Sequence, residues 1–241
     1  MFSILRKEFN AFLSSPVAYV VIGVFLVATG LFVWVFPDSS VLDYGFADLQ
    51  TLFNTAPWIF LFLIPAITMR TFAEEKKAGT IELLLTRPLT DGQIIGGKYL
   101  ACFLLALLAL IPTLLYYYSV YQLGNPVGNI DSAATVGSYI GLALLAGVFA
   151  AIGLFSSAIT RDQVIAFLVA VVGCFLVYSG FDSLASVFEG SAAYYISQLG
   201  IAAHYRDISK GLIDSRDLTY FFSLIAGFLL ATRLALQSRN W

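Results

Sequence analysis

Long apolar stretches alternate with short polar ones along this chain, and inside each stretch the hydrophobic residues run on without the every-second-residue rhythm of a strand. Runs of about 20 apolar residues are long enough to cross a bilayer as a helix, and unbroken hydrophobicity argues against a membrane barrel. Six spans are predicted on this basis, at residues 16–36, 55–72, 99–121, 136–159, 164–181 and 218–237. Ahead of them, residues 1–15 set Phe2, Leu5, Phe9, Phe12 and Leu13 on one helical face and Ser3, Arg6, Lys7 and Asn10 on another. That is the pattern of an amphipathic helix lying in the membrane interface. The run that follows is too long for the core of a signal peptide and has no small-residue cleavage site after it, so it is expected to stay attached.

Punctuation refines this picture. Pro16 suits the first turn of the first span, and Pro65 predicts a kink in the second. The third contains Pro112 and ends on Tyr116, Tyr117, Tyr118 and Tyr121, an interfacial aromatic belt. Gly137-x-x-x-Gly141 in the fourth predicts a close helix contact. Two semi-polar segments remain, 73–98 between spans two and three and 182–217 between spans five and six, the latter expected to hold short helices. The expected fold class is all-α: a single polytopic membrane domain over residues 1–241, with six transmembrane helices and an N-terminal interfacial helix.

Composition strengthens the membrane reading, with 59% hydrophobic residues, 12% charged and a mean hydropathy of +0.86. A soluble domain carries roughly 25% charged residues. The net charge of -2 offers no basis for binding nucleic acid. Its distribution is uneven. With the N terminus inside, ten of the 13 Lys and Arg residues and six of the 15 acids face the cytoplasm, +4 against -6 on the other side. The excess of positive residues predicts that both termini are cytoplasmic. Cys102 and Cys174 lie in apolar runs with no metal-ligand or redox spacing and read as packing residues.

Candidate chemistry is sparse. No ionisable residue falls near the centre of a span, where an ion-coupled carrier needs one; Arg70 and Arg233 are near enough to the ends to snorkel. Gly92 to Lys98 matches seven positions of a phosphate loop, but Tyr99 replaces the small hydroxyl residue and no buried strand precedes it. A glycine turn leading to a membrane-entry lysine, Gly97-Lys98, is the expectation instead. His204 is the only histidine and reads as part of the polar face of an external interfacial helix. No catalytic, cofactor or metal residue is singled out.

The segment from Arg70 to Pro88 is more informative. Ile81, Leu83, Leu84 and Leu85 form an apolar cluster rimmed by charge, as on a partner surface. Glu75, Gly79, Thr80, Glu82, Leu84, Leu85 and Pro88, followed by Gly97-Lys98 before the third span, resemble the hallmark of ABC-2 type permeases. Within that family the length and wording are most similar to the permease subunit of the gliding-motility-associated group. The resemblance implies that the loop docks as a coupling helix on a cytoplasmic ABC ATPase through Glu74, Glu75, Lys77, Gly79, Thr80, Glu82, Leu83, Leu84, Arg87 and Pro88. It further implies a multi-pass protein of the bacterial cytoplasmic (inner) membrane, completed by a second permease copy or permease-like chain. A companion with a large extracytoplasmic domain is also implied. ATP and Mg would belong to the ATPase, with no cofactor bound by this chain. Export or envelope remodelling would be the outcome; a non-transporting scaffold for an envelope or motility complex is the alternative.

Overall fold

The computed structural model describes residues 1–37, 39–80 and 90–238. Among these residues all regular structure is helical. Helix α1 (Phe2–Ser14) precedes α2 (Pro16–Trp34), the first span, and a short α3 (Val41–Tyr44). The second span is α4 (Gln50–Thr68) continued by α5 (Arg70–Lys77). The third is α6 (Asp91–Leu110) joined to α7 (Leu114–Leu123) by a 3-10 turn, and the fourth is α8 (Ser132–Ile159). Span five begins as α9 (Gln163–Phe175), passes through a π turn at Leu176–Gly180 and ends in α10 (Phe181–Ala185). Two short helices, α11 (Ser191–Ser197) and α12 (Ile201–Ser209), lead to the sixth span, α13 (Ser215–Gln237). Six helices are thus long and apolar enough to cross a membrane.

Local chemistry explains several boundaries. Ser15 accepts from the Val17 amide with Pro16 in the first turn of α2, and Asp131 accepts from the Ala134 amide at the start of α8. Pro112 lies in the 3-10 turn that separates α6 from α7, where the missing N–H of proline interrupts the α ladder. At α6 the helix starts earlier than the hydrophobicity does. Thr90 and Gln93 form a reciprocal capping box, so Gly92 to Lys98 are the first two turns of a helix. This corrects the expected glycine turn: the capping box starts the helix, and packing of Ile94 and Ile95 in a buried cluster holds it through three glycines.

The fourth span is the axis of the bundle. In its most apolar stretch 78% of the residues are buried, against 11% in the sixth span. Apolar burial alone does not draw helices together in lipid, so close approach depends on small residues and internal hydrogen bonds. Gly137 and Gly141 supply such a step, but what packs there is α12 rather than another span: a Cβ on Gly137 would stand 2.3 Å from the Ile208 carbonyl oxygen. The Tyr205 hydroxyl, also on α12, donates to the Phe53 carbonyl at 2.8 Å, and Ser138 Oγ donates to the Ser209 carbonyl at 3.2 Å. Burial pushes the Tyr205 phenol well above its ordinary pKa.

His204 does not lie on an open polar face as the sequence led us to expect. Its Nδ1 is 2.6 Å from Asp217 Oδ1, its Nε2 is 2.9 Å from the Gln198 carbonyl, and its ring stacks on Tyr220 at 4.0 Å. The histidine ties α12 to the start of the sixth span. At the other end of the bundle, α1 packs along α6.

Gly137→Ala would force the Ile208 backbone away from α8, at a cost of about 1–3 kcal/mol. Gly23, with open space around it, is the matched control. Thermal unfolding in detergent should show a lowered Tm for Gly137→Ala and an unchanged or slightly raised one for Gly23→Ala.

Candidate functional site

Five elements converge where α1 meets the rest of the bundle. Their apolar contacts are Ile4 on α1, Phe72 on α5, Ile94 and Ile95 on α6, Leu154 and Ala158 on α8, and Leu236 on α13, all buried in one cluster. Gly97 makes the junction possible, since a Cβ there would lie 2.9 Å from Ile4 Cγ2. With Gly97 admitting α1, the next residue, Lys98, turns inward.

The Lys98 side chain is 1% exposed. Its Nζ donates to Glu75 Oε1 at 2.8 Å, to the Thr71 carbonyl at 2.7 Å and to Glu8 Oε1 at 3.2 Å, and it stands 5.2 Å from the centre of the Phe72 ring. Three donors meet three oxygens, which is the full capacity of an ammonium. A charge removed from water needs this degree of compensation. Lys98 is therefore not a lysine reaching for the membrane surface. It is buried because α1 and α5 each bring a carboxylate to it.

Helix α5 is held on its other side by the end of the fourth span. Ser157 Oγ accepts from the amides of Phe72 and Ala73, both at 3.0 Å, and donates to the Met69 carbonyl at 2.9 Å. Lys76 donates to the Ala158 carbonyl, and Lys77 lies 3.6 Å from Asp162. Asp162 also caps α9: the Val164 and then the Ile165 amides, with Lys77 nearby, hold its carboxyl below the usual carboxylate range.

The far end of α5 closes on a glycine. Gly79 has φ +69°, and its amide donates to the Lys76 carbonyl while that of Thr80 donates to the Glu75 carbonyl. These paired bonds form a Schellman cap, which explains the Gly-Thr pair at this spacing.

Of the residues singled out from the sequence, Glu75 and Lys98 are brought together and turned inward, and Gly97 is buried under α1. Glu74, Lys77, Gly79 and Thr80 are exposed along and just beyond α5. Glu82, Leu83, Leu84, Arg87 and Pro88 lie outside the described residues, as do Ile81 and Leu85. Sequence reasoning passed over Glu8, Thr71, Phe72 and Ser157. Glu8 had a signal, an acid set between Ile4 and Phe12 on one i, i+4 stripe. Those two are the buried residues of α1, whereas Phe2 is 79% exposed. Phe12 of the predicted face is buried and Leu5, Phe9 and Leu13 are half-buried; the buried stripe extends beyond that face to Ile4, which seats on Gly97, and to Glu8, which reaches Lys98.

Over residues 44–205 the chain matches the protein family described as ABC-2 family transporter protein. The chain belongs to this family. Among the curated proteins no match was found. ABC-2 proteins are membrane components of ABC transporters and work with an ABC ATPase, and this one is a multi-pass membrane protein. The family match includes α5, Gly97 and Lys98, but Glu8 lies outside it.

Lys98→Met should destabilise the fold by about 3–5 kcal/mol, because it leaves two partly buried carboxylates facing each other. Adding Glu8→Gln and Glu75→Gln should return much of the loss. Thermal or denaturant unfolding of the single and triple variants checks this, and strong non-additivity is the expected signature.

Proposed function

We propose that this chain is the permease subunit of an ATP-driven ABC transporter, in which hydrolysis by a separate ATPase is coupled to export or envelope remodelling. The observation that carries the reading is the anchoring of α5. A charged helix leaving a membrane span is commonly only a solvated linker. This one is fixed to α1 and the third span through Lys98 and to the fourth span through Ser157, so a push on it reaches the bundle. Rigid elements with such anchorage transmit rigid-body motion.

In this reading the ATPase docks on the exposed side of α5 and on the segment after it, through Glu74, Lys77, Gly79, Thr80, Glu82, Leu83, Leu84, Arg87 and Pro88. Glu75 and Lys98 act from beneath. The positive excess at that end supports a cytoplasmic position for it and for both termini, in a bacterial inner membrane. A second permease copy or permease-like chain completes the pathway, ATP and Mg reside on the ATPase, and a companion with a large extracytoplasmic domain fits the gliding-type resemblance.

The test is co-purification from membranes and ATP hydrolysis in proteoliposomes. An ATPase should accompany the chain, and its rate should rise in the complex. Gly79→Val, which strains a left-handed position, and Glu82→Lys should each return the rate to that of the ATPase alone. A cysteine at Ala78 should react only with reagents on the cytoplasmic side. Absence of an ATPase, or unchanged stimulation in both variants, would overturn the reading. Full biological activity with an ATPase that binds but cannot hydrolyse ATP would replace it with the scaffold.

A further inference from the structure

The hydrogen-bond ladder of the second span is interrupted where α4 becomes α5, although Met69 between them keeps helical dihedrals and its amide bonds back to Pro65. Met69 stands between the two helices, and no side chain of the local sequence caps the start of α5. The first amides of a helix lack partners within it. Here the cap comes from 88 residues away: Ser157 of the fourth span accepts from Phe72 and Ala73 and donates to the Met69 carbonyl. A hydroxyl has one proton to give and two lone pairs. Ser157 spends all three on this joint, and it is fully buried.

One turn earlier, Gly153 explains how a serine on another span reaches so far in. A Cβ at Gly153 would fall 2.0 Å from Thr68 Oγ1, so α8 lies directly on the last turn of α4. Gly153 and Ser157 are separated by four residues and share a helix face. The glycine brings the backbones together; the serine then enters the break. Other carbonyls at the joint are taken as well, that of Thr68 by Thr71 Oγ1 at 2.7 Å and that of Thr71 by Lys98. Lys76 and Lys77 extend the attachment to the Ala158 carbonyl and Asp162.

From this we infer that Ser157 is a positioning residue that fastens α5 to the fourth span, so that ATP-driven movement of α5 is carried into α8 as one body while the joint at Met69 takes up the bend against α4. Covalent continuity makes the second span the obvious route for that movement. The hydrogen bonds favour the fourth: where α5 follows α4 the helical ladder is interrupted, whereas the Phe72 and Ala73 amides, Lys76, Lys77 and the Met69 carbonyl are all bound by residues 157–162. The inference rests on the transporter reading and adds to it the helix that receives the motion.

The test uses the full complex with its ATPase, in a background where the buried Cys102 and Cys174 are replaced by alanine. Spin labels at Ala78, just past α5, and at Ser132, at the far end of α8, report one distance. Labels at Ala78 and Gln50, at the far end of α4, report another. Between the nucleotide-free and ATP-trapped states the Ala78 to Ser132 distance should stay constant, and the Ala78 to Gln50 distance should change by about 2 Å or more. Ser157→Ala should release the first distance so that it also changes, and Ser157→Thr, which keeps the hydroxyl, should hold it. On the purified chain, hydrogen exchange at Phe72 and Ala73 should be about tenfold faster in Ser157→Ala.

An Ala78 to Ser132 distance that shifts as much as Ala78 to Gln50 in the unaltered complex overturns the inference, with no dependence on how the variants fold. So does a Ser157→Ala complex indistinguishable from the parent. Failure to bind any ATPase is a different result, which removes the transporter reading and this inference together.

Discussion

An ammonium group with almost no exposure to solvent must be surrounded by oxygen, and in this protein that requirement falls on three separate pieces of chain. Lys98 sits on the third span, Glu75 and the Thr71 carbonyl on α5, and Glu8 on the N-terminal helix. None of these elements supplies enough acceptors alone. Desolvation of the charge therefore makes the placement of α1 and α5 interdependent, and the apolar cluster of Ile4, Phe72 and Ile94 closes around it. The glycine before Lys98 belongs to the same arrangement, because a larger residue would hold α1 away and leave Glu8 out of reach.

The fourth span provides the counterpart. Its glycines allow contact with α12 at one end and with the last turn of α4 at the other, and its serines satisfy backbone groups of neighbouring elements at both ends, Ser138 toward Ser209 and Ser157 toward Phe72 and Ala73. In a lipid-embedded bundle this combination of small residues and hydroxyls does what apolar burial does in water. It also links the two ends of the molecule through one nearly continuous buried helix.

An ABC-2 permease needs a mobile attachment that is nevertheless firm. Helix α5 is fixed on two sides, through Lys98 and through Ser157, at the point where hydrogen bonding between it and α4 is interrupted. The Schellman cap at Gly79 and Thr80 then sets the direction in which the chain leaves α5.

Much of this was legible in the sequence because it depends on local properties. Hydrophobic run length gave six spans, and the Gly-Thr pair, the glutamate four residues before the glycine and the Gly-Lys pair carried a resemblance to the family that the chain matches over residues 44–205. Length and hydropathy are additive along a chain, so they survive without coordinates. The inward turn of Glu75 and Lys98, the burial of Ile4 and the turn of Glu8 toward Lys98, and the partner of the Gly137 step were not legible. Each depends on which surface another helix presents. Sequence by itself determined six membrane-spanning helices and pointed to the ABC-2 family. Tertiary structure alone decided that Lys98 is a buried hub and that Ser157 caps a helix 80 residues away, since compensation of a charge or an open amide is settled by proximity in space and leaves no periodic trace along the chain.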